Sequence, residues 1–366
     1  MKLEILKKEL LEPLKIVVSA TEQRSTLPIL ANILLRVNGN KLILIGSDDE
    51  IEISSIISLE NNGSNANGDT TVNAKKLYSI VQNLNDDSLS ISVTDDKATI
   101  LAGKSKFSLS CLPVSDYPNS LEIIPIITVK LSQKKLKSLL SKTSHVMAIS
   151  DPRYYLNGVC FDFIGNTLNV VATDGHRLAI SSIDLETENT LQVIIPVKAV
   201  IELQKALGNS DDLTEISINE NEFQAKITDA LTIKTKLIDG KFPDYHGVIP
   251  DTKISTTIES FAIKSALTQV RILSHERHKG CRLAFDSNKL VVSANNPDDE
   301  KAECELDIDY SGDQFKINFN TTYLLDALHV IDTLSVSLNF RDENSSVVIS
   351  PPNDEKTKMI VMPMRI

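Results

Sequence analysis

Thr173-Asp174-Gly175-His176-Arg177 gathers a carboxylate, an imidazole and a guanidinium at the end of an extended run, around a glycine suited to a tight turn. Asp174 and His176 could act as an acid/base pair, or the segment could be a structural turn or the rim of a binding site. No nucleophile motif accompanies them, since the chain contains neither G-x-S-x-G nor H-E-x-x-H. His275 and His278 have an H-x-x-H spacing, but without a further carboxylate or thiolate cluster the ligand count stops at two, and no metal is expected. Cys111, Cys160, Cys281 and Cys304 form no C-x-x-C pair, which argues against a zinc knot and a disulfide framework. No G-x-x-x-x-G-K-[ST] loop is present to cradle a nucleoside triphosphate, so neither a motor nor a cofactor is expected.

The elements that position these residues come from a chain of 366 residues, long enough for several domains, with 42% apolar and 24% charged side chains. That composition predicts a folded chain. No apolar run reaches the roughly 18 to 20 residues needed to cross a bilayer. The N-terminus also lacks an export signal, so a cytoplasmic protein without a membrane partner is expected. The net charge of −11 disfavours holding nucleic acid by bulk attraction, so any basic surface must be local. With no Trp and only 17 Phe and Tyr, stacking of bases on many aromatic side chains is disfavoured too.

An internal repeat organises the chain. Extended runs follow turn-forming pairs at Asn38-Gly39, Gly165-Asn166 and Ser287-Asn288, and Leu42, Leu168 and Leu290 within them are 126 and 122 residues apart. Each pair predicts a tight β-hairpin. A second landmark recurs at Ala74-Lys75-Lys76-Leu77, Val197-Lys198-Ala199-Val200 and Thr321-Thr322-Tyr323-Leu324, each opening an amphipathic helix. Another helix begins each third, with apolar stripes of Leu6, Leu10, Leu14, Val17 and Val18, then Leu136, Leu139 and Leu140, then Phe261, Leu267 and Val270. The expectation is an α+β fold of three repeated domains, each helix, strands, helix, strands. Boundaries fall near Ile124-Pro125-Ile126 and Ile249-Pro250-Asp251, giving domains 1–125, 126–252 and 253–366.

Lysines collect on the helices: Lys7, Lys8 and Lys15; Lys75 and Lys76; Lys134, Lys135, Lys137 and Lys142; Lys198 and Lys205. Solvated helix faces account for such lysines, but a threefold array could also present them on one shared basic surface. The ends of the array differ in charge. Lys104-Ser105-Lys106-Phe107-Ser108-Leu109 is a basic strand, whereas residues 298–305 carry Asp298, Asp299, Glu300, Glu303 and Glu305. Two such edges could simply be solvated, or could join head to tail between copies and close a ring of six units.

The chain resembles, along its whole length, the bacterial DNA polymerase III beta subunit family of replicative sliding clamps. The motifs carrying this are Thr26-Leu27-Pro28-Ile29-Leu30-Ala31-Asn32, Arg153-Tyr154-Tyr155-Leu156-Asn157-Gly158, Ala172 to Leu178, Phe242-Pro243-Asp244-Tyr245 and Val361-Met362-Pro363-Met364-Arg365-Ile366. The resemblance implies three copies of the DNA clamp fold, each with two helices packed on antiparallel sheets, and a head-to-tail homodimer forming a six-domain ring around duplex DNA. It implies a non-catalytic processivity factor associated with the nucleoid, whose partners are DNA without sequence preference, a clamp loader, the replicative polymerase and other proteins carrying a clamp-binding motif. Retention would be topological, so weak phosphate contacts suffice and an acidic protein can serve.

By similarity Arg24, Arg153, Tyr154 and Tyr155 would approach DNA, with Lys75 and Lys198 as candidates from the helices. A short, partly apolar peptide would enter a pocket between the second and third domains, at Leu156, Thr173, Gly175, His176, Arg177 and Leu178. Pro243, Val248, Asn320, Tyr323, Ser346, Met362, Pro363, Met364 and Arg365 would complete it, the methionines and leucine as an adaptable apolar floor and Asn, His and Arg as orienting hydrogen-bond partners. His246-Gly247 departs from relatives that carry arginines. At the dimer contact Lys76, Lys104, Lys106, Phe107 and Leu109 would face Ile272, Leu273, Glu300 and Glu303. Lys301 and Cys304 interrupt an acidic stretch that is more continuous in relatives. The competing functions are a modular scaffold that needs neither DNA nor ring closure, and an enzyme using Asp174 and His176.

Overall fold

The computed structural model describes residues 1–22, 26–59, 65–118 and 122–365. Its elements follow the three repeats. The first runs β1 (Lys2–Leu6), α1 (Lys7–Val18), β2 (Asn32–Asn38), β3 (Lys41–Ser47), β4 (Ile51–Ser58), β5 (Gly68–Asn73), α2 (Ala74–Asn83), β6 (Ser88–Thr94), β7 (Lys97–Ala102) and β8 (Ser105–Leu112). The second is β9 (Ile127–Ser132), α3 (Gln133–Thr143), β10 (Gly158–Thr173), β11 (Arg177–Pro196), α4 (Val197–Ala206), β12 (Leu213–Ile218), β13 (Glu222–Thr228) and β14 (Leu231–Lys236). The third is β15 (Ile254–Glu259), α5 (Ser260–Val270), β16 (Gly280–Asp286), β17 (Lys289–Asn295), β18 (Lys301–Asp307), β19 (Phe315–Asn320), α6 (Thr321–His329), β20 (Ser335–Phe340), β21 (Val347–Ser350) and β22 (Thr357–Val361).

Local chemistry explains why these segments recur. Gly39, Gly165 and Asn288 all take positive φ, 60°, 59° and 56°, at the hairpin that each repeat places after its second strand. Glycine adopts that conformation without a Cβ penalty, and asparagine tolerates it better than most residues. Asn73 and Asn320 cap α2 and α6 by accepting from the amides of Lys76 and Thr322. The first helix of every repeat is pinned alike: the amides of Lys7, Gln133 and Ser260 donate to the carbonyls of Asp87, Asp212 and Leu334 at 2.8, 2.9 and 2.9 Å. In the second repeat β10 and β11 each join two strands of the pattern. Residues 158–165 pair with 189–196 and 167–173 with 178–184, matching the β2–β5 and β3–β4 ladders.

Each repeat opens with a strand, β1, β9 or β15, before its first helix, so Leu6 belongs to β1 and not to the helical stripe, and the stripe of α5 is phased differently from its sequence pattern. Phe261 is 74% exposed, while α5 buries Ile263, Ala266, Leu267 and Val270. At about 100° per residue Phe261 lies on the far side of the helix from Val270, so the i, i+3, i+4, i+7 set starting at Ile263 takes the core.

The sheets cross the repeats. A twelve-stranded sheet has the order β1-β6-β7-β8-β5-β2-β3-β4-β14-β13-β12-β9, and a six-stranded sheet the order β10-β11-β22-β21-β20-β15; β18-β17-β16-β19 form the third. The ladders that join repeats are β4 with β14 (Ile51↔Thr235) and β11 with β22 (Arg177↔Val361). The middle repeat is thereby divided between two compact units, Met1–Lys137 with Lys198–Leu237, and Ser138–Val197 with Ile238–Ile366. In the second unit Cys160, Val171, Leu178, Ile180, Ile194, Phe242, Tyr245, Val348 and Ile360 form one core under the β11–β22 ladder. Its polar point is closed, since the Tyr245 hydroxyl donates to the buried Asp162 carboxylate at 2.7 Å. No helix among the described residues is long and apolar enough to cross a membrane.

Candidate partner-binding pocket and open strand edges

The turn from Thr173 to Arg177 is built by its own side chains. Asp174 Oδ1 accepts from the amides of His176 and Arg177 at 2.9 and 3.1 Å, and Thr173 Oγ1 accepts from the amide of Gly175 at 3.0 Å. Gly175 sits at φ +89°, and a Cβ there would lie 2.7 Å from Arg153 Nη1. The left-handed backbone favours glycine here, and a Cβ would have to displace the Arg153 guanidinium. Asp174 Oδ2 takes Arg177 Nε at 3.0 Å, so both carboxylate oxygens are engaged in holding the turn and Arg177. The His176 ring stacks on Tyr323 at 6.4 Å. This arrangement makes a rigid rim and leaves Asp174 poorly placed for acid/base work with His176.

Beside the turn lies a cavity of about 200 Å³. Of the residues assigned to a peptide pocket by sequence, Leu156, Thr173, Gly175, His176, Arg177, Leu178, Pro243, Val248 and Met362 line it. Tyr323 sits just behind, with its ring 4.5 Å from Arg177 Cζ. Asn320 caps α6, Met364 donates its amide to Asn318 O at 2.7 Å, Ser346 and Pro363 are half-buried and Arg365 is exposed. Arg153, Tyr155, Asp244, Tyr245 and Ile360 also line the cavity, and the sequence did not assign them to it. Leu178, Tyr245 and Ile360 belong to the core beneath, so the cavity floor is rigid, while Val248 and Met362 at the mouth are 38% and 41% exposed. An apolar floor rimmed by a few fixed polar groups suits a short apolar segment with orienting hydrogen bonds.

Arg153 is fixed on this rim. Its Nε and Nη2 each reach Asp151 at 3.0 Å, and Nη2 also donates to Asp174 O at 3.1 Å. That pairing holds the Asp151 carboxyl down at about 2. The guanidinium expected at DNA is thus engaged at the pocket. Tyr155 is half-buried against the core, whereas Tyr154 is 56% exposed. In the first unit Lys198 Nζ binds the Asp48 carboxylate and donates to Ala20 O at 3.2 Å, which neutralises the charge the spacing suggested for phosphate. Lys75 is exposed beside Lys76, Phe107 and Leu109. Arg24 lies outside the described residues.

His145 lies behind Arg177, which donates to its carbonyl at 3.2 Å. Among the described residues neither ring nitrogen has a hydrogen-bond partner. Burial first, and the Arg177 charge second, push its pKa from 6.5 to about 4, against the opposite pull of Asp326 and Asp174. The folded chain therefore binds fewer protons here than the unfolded chain between about pH 6.5 and pH 4. Stability should fall as pH drops through that window, by about 3 kcal/mol in full from this group. His145→Leu should flatten that slope in chemical denaturation at stepped pH; an unchanged difference between pH 7 and pH 4 would contradict the assignment.

Two of the open strand edges carry opposite charge. Among the described residues β8 pairs with β7 throughout but with β5 only at Cys111 and Leu112, and β18 pairs with β17 alone. Lys104 and Lys106 are exposed at or just before the first edge, with Phe107 half-buried and Leu109 9% exposed. Glu303 is exposed on β18 and Glu300 just before it, while Glu305 is paired with Lys289. Ile272, in the turn after α5 that packs against β18, is 78% exposed and Leu273 half-buried. Among the described residues no group of three or more His, Cys, Asp or Glu is placed to hold a metal.

Family models for the N-terminal, central and C-terminal domains of the DNA polymerase III beta subunit match residues 1–121, 130–244 and 247–365. The chain belongs to the DNA polymerase III beta subunit family. It is 40% identical to the beta sliding clamp of Pseudomonas putida over 366 residues, 99% of either chain. It is 37% identical to that of Escherichia coli over 371 residues, with both chains fully covered. The crystal structure of the DNA polymerase III subunit beta sliding clamp from Pseudomonas aeruginosa bound to griselimycin superposes with a TM-score of 0.96, at 38% identity and full coverage of both chains.

Within this beta subunit chain the first repeat supplies a control for the pocket. Asp48 Oδ1 accepts from the amides of Glu50 and Ile51 at 3.0 and 2.8 Å, as Asp174 does two residues and three residues on. Asp49 has φ 79° where Gly175 has 89°, and Lys236 donates its amide to Glu50 O as Met362 does to His176 O. The two turns are the same device. At the first, however, Ile51 is 1% exposed where Arg177 stands, and Lys236 pairs with Asp49 where Met362 and Gly175 line the cavity. The pocket is therefore a property of the side chains at the second junction.

Proposed function

We propose that two copies of this chain, divided into domains 1–125, 126–252 and 253–366, close head to tail into a six-domain ring around duplex DNA. The observation that carries the reading is that one chain bears two open strand edges of opposite charge, β8 beside Lys104 and Lys106 and β18 beside Glu300 and Glu303. Joining edges would satisfy their unpaired backbone groups, and Lys76, Phe107, Leu109, Ile272 and Leu273 would supply the burial, at about 25 cal/mol per Å². The chain is a sliding clamp and processivity factor with no catalysis of its own, and its partners are DNA and polymerase.

Inside the ring Arg24, Lys75, Arg153, Tyr154 and Tyr155 are the proposed DNA contacts, with Lys198 contributing little because Asp48 already neutralises it. The pocket at Arg177 would take a short apolar motif of the replicative polymerase and of other partners, and griselimycin would enter the same cavity. A separate ATPase would load the ring in the cytoplasm. Primer extension on singly primed circular DNA, with loader and polymerase from the same cell, tests this. Products several-fold longer in one binding event support it, and unchanged lengths with the ring loaded would refute it.

A further inference from the structure

We propose that Asp326 is a positioning residue of the pocket, acting through Arg177; the inference rests on the pocket reading above. Arg177 lies at the cavity wall with its side chain only 13% exposed, and its guanidinium has three polar partners. Asp174 takes Nε at 3.0 Å, the His145 carbonyl takes Nη2 at 3.2 Å, and Asp326 takes Nη1 at 2.6 Å. Asp174 is shared with two backbone amides of its own turn, and the carbonyl bears no net charge. Asp326 alone among them comes from the third repeat, on α6, three residues after Tyr323.

That i, i+3 spacing puts a ring and a carboxylate on one helix face. Tyr323 lies under the guanidinium, 4.5 Å from Cζ, and Asp326 holds its edge. A planar fork of donors is oriented by such an in-plane partner, whereas stacking alone leaves it free to turn about the ring normal. Without Asp326 the Nη1 group loses its charged partner in a poorly hydrated place, and Arg177 swings toward solvent, removing one wall of the cavity. The internal repeat supports the geometry. Glu202 is the sixth residue of α4 as Asp326 is of α6, and it too reaches back to the preceding repeat, accepting from Ser19 Oγ at 2.6 Å.

The test is a double-mutant cycle read by griselimycin affinity on the full chain. Asp326→Asn should weaken binding roughly five- to twentyfold, with the dimer in sedimentation and the melting temperature little changed. Arg177→Ala should weaken it at least as much, and in that background Asp326→Asn should change affinity less than about twofold. Asp326→Glu should recover part of the loss. An equal loss from Asp326→Asn in both backgrounds, or no loss in the wild-type background while Arg177→Ala is damaging, would overturn the proposal and leave the pocket reading intact. Failure of the wild-type chain to bind griselimycin, or equal binding by Val248→Asp, would overturn the pocket reading and this inference with it.

Discussion

The Ile272→Ala, Leu273→Ala double variant should sediment as a monomer at concentrations where the wild-type chain is a dimer. Ile272 is 78% exposed in one chain, an unusual position for a large aliphatic side chain that nothing in its own unit covers. Burying this pair against Phe107 and Leu109 would contribute roughly 3 kcal/mol per interface. A head-to-tail ring has two such interfaces, so the double substitution acts on both and weakens closure by about 10⁴-fold. Because both side chains are at least partly exposed, the fold of each chain should hold and its melting profile should barely move. A stable dimer of the double variant would place the interface elsewhere.

The second large effect is expected at the pocket mouth. Val248 and Met362 are 38% and 41% exposed, so Val248→Asp with Met362→Asp places two carboxylates there without disturbing the core. An apolar ligand would have to strip water from both charges, at roughly 2 kcal/mol each or more. Griselimycin affinity should fall by at least about 100-fold, and polymerase should lose its processivity, while sedimentation still shows a dimer. Unchanged polymerase stimulation would remove the pocket from the mechanism.

Much of the fold is legible in local patterns. The hairpin turns at Gly39, Gly165 and Asn288, and the helices opening at Ala74, Val197 and Thr321, are set by turn chemistry and by 3.6-residue periodicity, which short windows reveal. The ladders of β4 with β14 and β11 with β22 are not, because their partners lie about 180 residues apart and no local period encodes them. Phe261 shows the limit of periodicity on a short helix, where a stripe drawn through three residues can include one that faces the opposite side.

The pocket was partly legible. Leu178, Pro243, Val248 and Met362 came from motif resemblance, whereas the place of Arg153 and Tyr155 on the pocket wall, with Arg153 against Gly175, had no motif to announce it. Lys198 looked like a phosphate ligand because charge spacing along a helix says nothing about a carboxylate 150 residues away. Asp326 carried no motif at all; its role appears only when α6 brings it to Arg177.

Dissociation from circular and linear DNA of equal length, after loading, addresses the central claim most directly. A closed ring that encloses the duplex without gripping it should stay on the circle for long periods and leave within seconds to minutes once a restriction cut supplies ends. Equal residence on both forms would mean that the chain holds DNA by surface contact, and the ring account would be wrong.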